Sequence, residues 1–203
     1  MEEVWQQGTL ACDERAWDKE VREKIHMREE KEWLMRMQTK PKLCTYITLK
    51  HKLQFEHYLT HHDTEARAVM TRLRGGTNEL RIETGRYRNT NRDRRLEKHE
   101  RRCVLCMSGD VEDEKHFVLD CVVYEDLRRK MFEVVKRVLL KNEEIEEEMN
   151  SETGKQRILG AILGDGGEES EGRTDLRRAA LEYCRRAMKR RHGVVVSELD
   201  QRT

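Results

Sequence analysis

Apolar positions along the chain recur mostly at steps of three and four, the period of an amphipathic helix. Over residues 12–39, Trp17, Val21 and Ile25 are spaced by four, and Trp33, Leu34 and Met37 follow among dense charges. This predicts one long helix that ends before Pro41, because a residue preceding proline is driven out of the α region. Its apolar side chains would form a packing stripe or, alternatively, a self-association surface, although the repeat is too short and irregular for a coiled coil. Beyond Pro41, the positions of Leu43, Tyr46, Leu49, Leu53 and Tyr58 predict a second helix. Residues 65–74, with Val69, Met70 and Leu73, predict a third, stopped by Gly75-Gly76. Residues 77–84 alternate weakly around Leu80 and Ile82 and read as a short extended piece or a helical turn. Gly85 and Asn89-Thr90-Asn91 read as loop.

Further along, Tyr124, Leu127, Met131, Val134 and Val138 mark a clear amphipathic helix that runs into an acidic block at 143–148. Ile158, Leu159, Ile162 and Leu163 suggest a short apolar helix, and the glycine-rich segment 164–172 a flexible connection. The last helix, about 174–191, carries Leu176, Ala180, Tyr183 and Ala187 on one face. A single proline in 203 residues favours long uninterrupted helices.

Composition narrows this picture. Charged residues make up 40% of the chain, against roughly 25% in an average globular protein. With apolar residues at 36% and aromatics at 5%, the chain can build only a thin core, one that a bound metal would help to staple. Forty-one Lys and Arg against 40 Asp and Glu leave a formal charge of +1, which excludes a uniformly basic protein. Attraction to nucleic acid must then come from local patches. One such patch is 86–102, with eight Arg or Lys against three Asp or Glu. No apolar run approaches the roughly 18–20 residues of a membrane span. The first residues lack both the basic and the apolar regions of a secretory signal. An intracellular protein, nuclear or cytoplasmic, is expected, in which cysteines serve as metal ligands or buried apolar groups more often than as disulfides.

The residues richest in chemistry are Cys103, Cys106, His116 and Cys121, spaced C-x2-C-x9-H-x4-C. A C-x2-C step lets two thiolates grip one ion from a tight turn, and zinc takes four N or S ligands at the corners of a tetrahedron. Gly109 can turn the chain back between the two pairs. Sulfur and imidazole donors favour Zn2+ over magnesium or calcium, and four protein ligands make the site structural, with no position open for catalysis. A redox dithiol and unrelated buried cysteines are the alternatives, and His99 lies near enough to substitute as a ligand. Cys12, Cys44 and Cys184 are isolated and read as core packing, and His61-His62 as solvated. No phosphate-binding loop, nucleophile elbow or H-E-x-x-H helix is present, so no enzymatic activity is expected.

Several stretches together carry a family resemblance. Pro41-Lys42-Leu43-Cys44-Thr45-Tyr46, Leu80 to Tyr87, Cys103-Val104-Leu105-Cys106, Val111 to Phe117 and Cys121-Val122-Val123-Tyr124 resemble the C-terminal region of non-LTR (LINE-type) retrotransposon polyproteins. In that region a CCHC zinc-binding segment lies downstream of the reverse transcriptase. The resemblance covers about residues 40–132. It implies that Cys103, Cys106, His116 and Cys121 are zinc ligands, and that basic flanks, here Arg86, Arg88, Arg92, Arg94 and Arg95, engage RNA or DNA. The polymerase motif and any recognisable endonuclease are missing, and Cys121-Val122 stands where relatives often have Cys-Pro. The resemblance therefore implies a detached, non-catalytic remnant.

These readings converge on a mainly α protein with one small CCHC zinc-binding module and little or no sheet. Its expected parts are a helical arm (1–75), a basic loop with the zinc module and following helix (76–140), and an acidic linker with a basic helical tail (141–203). The expected function is binding of RNA or single-stranded DNA through Arg86, Tyr87, Arg88, Arg92, Arg94, Arg95, Arg101 and Arg102. Arginine meets phosphate bidentately, and a tyrosine can stack on an unpaired base. The alternative is a zinc-stapled protein–protein interaction domain. Self-association through the first helix fits either, and neither a membrane nor a small-molecule substrate is expected.

Overall fold

The computed structural model describes residues 14–50, 52–87, 94–140, 145–164 and 170–200, with side chains as far as Val194. Among these residues eight α-helices follow one another: α1 Glu14–Gln38, α2 Cys44–Leu49, α3 Thr64–Arg74, α4 Arg81–Thr84, α5 Glu125–Val135, α6 Ile145–Asn150, α7 Glu152–Leu163 and α8 Glu171–Asp200. The fold is mainly α. Among the described residues there is no strand, only an isolated antiparallel bridge between Arg102 and Val111. Nor is any described helix long and apolar enough to cross a membrane.

Helix α8 is the spine of the core. Leu176, Ala180, Leu181, Tyr183, Cys184, Ala187 and Met188 are buried, and α8 packs against α3, α5 and α7. From α3 the stripe Ala66, Val69, Met70 and Leu73 is buried in return, the i, i+3, i+4, i+7 pattern of one helical face. Each fully buried leucine contributes about 1.5–3 kcal/mol. Asp63 caps α3 by accepting from the Ala66 N–H at 3.0 Å. The chain leaves α3 through Gly76 at φ +61°, where a Cβ would lie 2.3 Å from the Lys42 carbonyl oxygen, so only glycine fits. Of residues 77–84, the last four form the short helix α4.

The expected second helix does not extend to Tyr58. It ends at Leu49, and Lys50 is extended, at φ −133° and ψ 116°. The cause is tertiary. Lys50 Nζ is buried against Glu56 Oε1 and the Gln54 carbonyl, both at 2.6 Å. Arg74 meets Glu56 at 2.7 Å, donates to the Leu163 carbonyl at 2.7 Å and stacks over the rings of Tyr46 and Tyr58. A buried carboxylate held by two cations and three elements outweighs the propensity of the apolar repeat to remain helical.

Helix α1 has the expected limits but not the expected packing. Only Met37 is buried and Trp33 meets Tyr46 edge-on, while Ile25, Met27 and Met35 are more than half exposed. Intrahelical pairs such as Arg22–Asp18, Lys24–Glu20 and Arg28–Glu32 line it, all solvent-exposed and so of little weight for stability. Cys44 is exposed and Cys184 buried, so the expectation of core packing fails for the first and holds for the second; Cys12 lies outside the described residues. The acidic block is no linker from Ile145 onward. Ile145 is buried and opens α6, and Glu148 pairs with Arg157 of α7. Helix α8 also begins earlier and ends later than the pattern indicated.

Candidate metal centre

Two local structures bring the four candidate ligands together. The first is a short hairpin closed by the Cys103 N–H donating to the Asp110 carbonyl at 2.8 Å and the Glu112 N–H to the Arg101 carbonyl at 2.9 Å. It turns through Met107 at φ 56° and Gly109 at φ 85°, which aims Cys103 and Cys106 inward. The second is a π-turn, His116–Asp120. Asp113 caps it by accepting from the His116 N–H at 2.8 Å, and the Cys121 N–H closes back on the His116 carbonyl at 2.8 Å. On an α-helix, residues five apart point about 140° away from each other at 3.6 residues per turn. The wider i→i+5 turn brings His116 and Cys121 onto one side. The ligand atoms of Cys103, Cys106, His116 and Cys121 all lie within 4.8 Å of one another. Cys103, His116 and Cys121 are buried and Cys106 is half-buried. His99 is not part of the cluster; it is exposed on the preceding turn.

The imidazole Nε2 is 3.3 Å from Cys106 Sγ, so Nε2 faces the cluster. Nδ1 is buried without a hydrogen-bond partner, with Asp110 Oδ2 3.9 Å away. The Cys121 thiol and then His116 stabilise the Cys103 thiolate and hold it well below its ordinary range, while Cys121, kept protonated beside it and buried, moves up. Burial disfavours the imidazolium, but Cys103 and then Cys106 outweigh it and lift His116 to about 9. A compact set of one imidazole and three thiols, with all three sulfurs free of disulfides, can hold a metal ion. Such donors suit soft or borderline cations more than magnesium or calcium, and four protein donors complete a tetrahedron.

The shell around the cluster involves residues that the sequence pattern did not single out. Arg128 is buried and donates to the carbonyls of Val118 and Cys121, both at 2.7 Å. Helix α8 contributes Tyr183, whose hydroxyl donates to the Phe117 carbonyl at 2.6 Å, and Arg190, which donates to the Val123 carbonyl at 2.8 Å. Arg191 clasps Glu112 with two bonds of 2.8 and 3.0 Å, and the same carboxylate accepts from the Arg81 N–H at 2.9 Å. The C-terminal helix thus holds both halves of the candidate metal-binding segment. The density of arginine in α8 was the one visible signal; the partners, 67 to 79 positions away, were not.

The basic flank is divided by the fold. Arg101 is structural: it donates to the carbonyls of Leu96 and Ile82 at 2.8–3.0 Å. Arg86 pairs with the buried Glu83 at 2.9 Å. Arg94 pairs with Glu100, holding that carboxyl down at about 2. Tyr87, Arg95 and Arg102 are exposed; the Arg102 side chain makes a long 3.4 Å bond to the His99 carbonyl, and Lys42 lies 5.0 Å above the Tyr87 ring. Arg88 and Arg92 lie outside the described residues. In comparisons with family models, curated proteins and solved structures, none matches this chain.

Proposed function

We propose that this chain is a zinc-stapled, non-catalytic module that binds RNA or single-stranded DNA. The observation that carries the reading is the Cys103, Cys106, His116 and Cys121 cluster, set beside a basic flank that keeps Arg95, Arg102 and Tyr87 exposed. Zinc suits three sulfurs and one nitrogen without a carboxylate, and a closed four-donor set serves structure rather than reaction. Exposed arginines beside a rigid hairpin meet phosphates without first breaking internal pairs, and an exposed tyrosine offers a stacking face to an unpaired base. Arg86, Arg94 and Arg101, engaged internally, leave the contact set. The resemblance to the CCHC region of non-LTR retrotransposon polyproteins points the same way and supplies the origin we propose.

The test is fluorescence anisotropy with a single-stranded RNA, at two salt concentrations, with and without chelator, and with bound metal quantified. Salt-sensitive binding that requires metal and weakens in Arg95→Ala and Arg102→Ala supports the reading; a loaded site with no RNA binding refutes it. One observation favours a second reading, a protein-interaction domain: α1 leaves Ile25, Met27 and Met35 exposed. Sedimentation that depends on protein concentration, and is lost in Ile25→Glu, would support that alternative.

A further inference from the structure

Helices α3 and α8 enclose a cleft of about 240 Å³ away from the metal hairpin. Its floor includes Met188, and its walls carry Arg72 from α3 and Arg185, Lys189 and His192 from α8, opposed by Glu65. On α8 the three basic residues follow at steps of four and three, so they form a single row facing α3. Their states differ. Arg185 is held by Asp63 at 3.1 Å and Glu65 at 3.6 Å, and His192 by Glu79 at 2.6 Å. Arg72 and Lys189 are exposed, and neither charged group has a partner among the described residues.

We propose that this cleft binds a phosphate group of a single-stranded nucleic-acid backbone, with Arg72 and Lys189 as the two donors on opposite walls. The ligand class rests on the nucleic-acid reading above; the anion site rests on the cleft itself. Two uncommitted cations facing each other across a concave, partly apolar surface repel in the empty state, and a shared anion removes that repulsion. Arg185 and His192 do not compete as donors, because Asp63, Glu65 and Glu79 hold them. The guanidinium offers a planar fork and the ammonium a point charge, a pairing that suits the several oxygens of a phosphate. The volume is smaller than the roughly 300–1,000 Å³ of sites for drug-sized ligands and larger than a lone ion needs, which fits one sugar-phosphate unit. Glu65 opposes the anion, so its removal should strengthen binding.

The experiment uses the full, metal-loaded chain and a single-stranded RNA dodecamer in fluorescence anisotropy across a salt series. Arg72→Ala and Lys189→Ala should each weaken binding about threefold to tenfold and lower the salt slope by about one phosphate contact, while Glu65→Gln tightens it. Both alanine changes remove exposed side chains, and thermal melts check that the fold persists. If RNA binds the wild type and all three variants alike, the cleft proposal is overturned and the nucleic-acid reading stands. If RNA does not bind at all, that reading fails and inorganic pyrophosphate titrated by calorimetry decides the cleft. Heat that is lost in Lys189→Ala supports an anion site; the absence of heat with the wild type overturns it.

Discussion

Breaking the clasp between Glu112 and Arg191 should destabilise the protein far more than an ordinary surface pair would. The side chains are 1% and 6% exposed, the two bonds are short, and the groups belong to the metal hairpin and to α8. Replacing Arg191 by Met leaves the carboxylate buried with the Arg81 N–H as its remaining donor. An uncompensated buried charge of this kind costs about 3–5 kcal/mol, a large part of a typical total stability of about 5–15 kcal/mol. Glu112→Leu should cost a similar amount, because the buried guanidinium then loses its counter-charge. The double variant Glu112→Leu, Arg191→Met removes both charges and leaves chiefly the Arg81 N–H unpaired, a penalty of about 1–3 kcal/mol. Urea unfolding of the metal-loaded protein, followed by far-UV circular dichroism, reads these values. With a slope of about 2 kcal/mol/M, each single variant should lower the midpoint by about 1.5–2.5 M and the double variant by less than either. A single-variant shift under about 0.5 M, or singles that simply add in the double, would refute the reasoning.

Three other outcomes follow from the site. Arg128→Met removes both donors to the carbonyls of Val118 and Cys121 and should weaken metal affinity about 10–100-fold, as read by competition with a chromogenic chelator. Met107 is 83% exposed at φ 56°, a conformation that costs a side-chain-bearing residue about 1–2 kcal/mol; Met107→Gly should therefore hold metal at least as tightly as the native chain, and Met107→Val less tightly. Glu114 is buried, accepting from Asn78 at 2.8 Å and Thr45 at 3.2 Å, and burial raises its pKa above the ordinary carboxyl range. The folded state therefore prefers the neutral acid: its stabilising contribution is complete below the unfolded pKa and is lost as pH rises through the raised folded value. Glu114→Gln should flatten the loss of stability as pH rises above the ordinary carboxyl range, in thermal melts taken at fixed metal occupancy.

Much of the architecture was legible from short-range pattern, because helices are made by contacts three and four residues apart. The limits of α1 before Pro41, the stop of α3 at Gly75-Gly76 and the apolar faces of α5 and α8 all rest on such local rules. The candidate ligands were legible for the same reason: Cys103 with Cys106, and His116 with Cys121, are pairs that one turn of chain can bring together. Where burial of charge entered, local pattern failed. The apolar repeat through Leu53 and Tyr58 did not continue α2, because Lys50 and Glu56 were drawn to Arg74. The Trp17, Val21 and Ile25 stripe did not mark the core, because periodicity records a face and not whether anything covers it.

The division is sharpest among the arginines. As a sequence, 86–102 is a run of equivalent cations. In the fold, Arg101 bonds to backbone carbonyls, Arg86 and Arg94 are paired with glutamates, and Arg95 and Arg102 are left at the surface. No local rule separates them, since the groups that claim or spare each one come from Ile82, Glu83, Leu96 and Glu100 at spacings that only the folded loop sets. Likewise, Arg72 and Lys189 share a cleft across 117 positions because α3 and α8 pack on a common core. Sequence alone determined which residues carry charge, helical period and candidate metal-binding chemistry. Tertiary structure decided which of those charges are spent on each other and which remain at the surface, because pairing depends on distance in space and on exclusion of water.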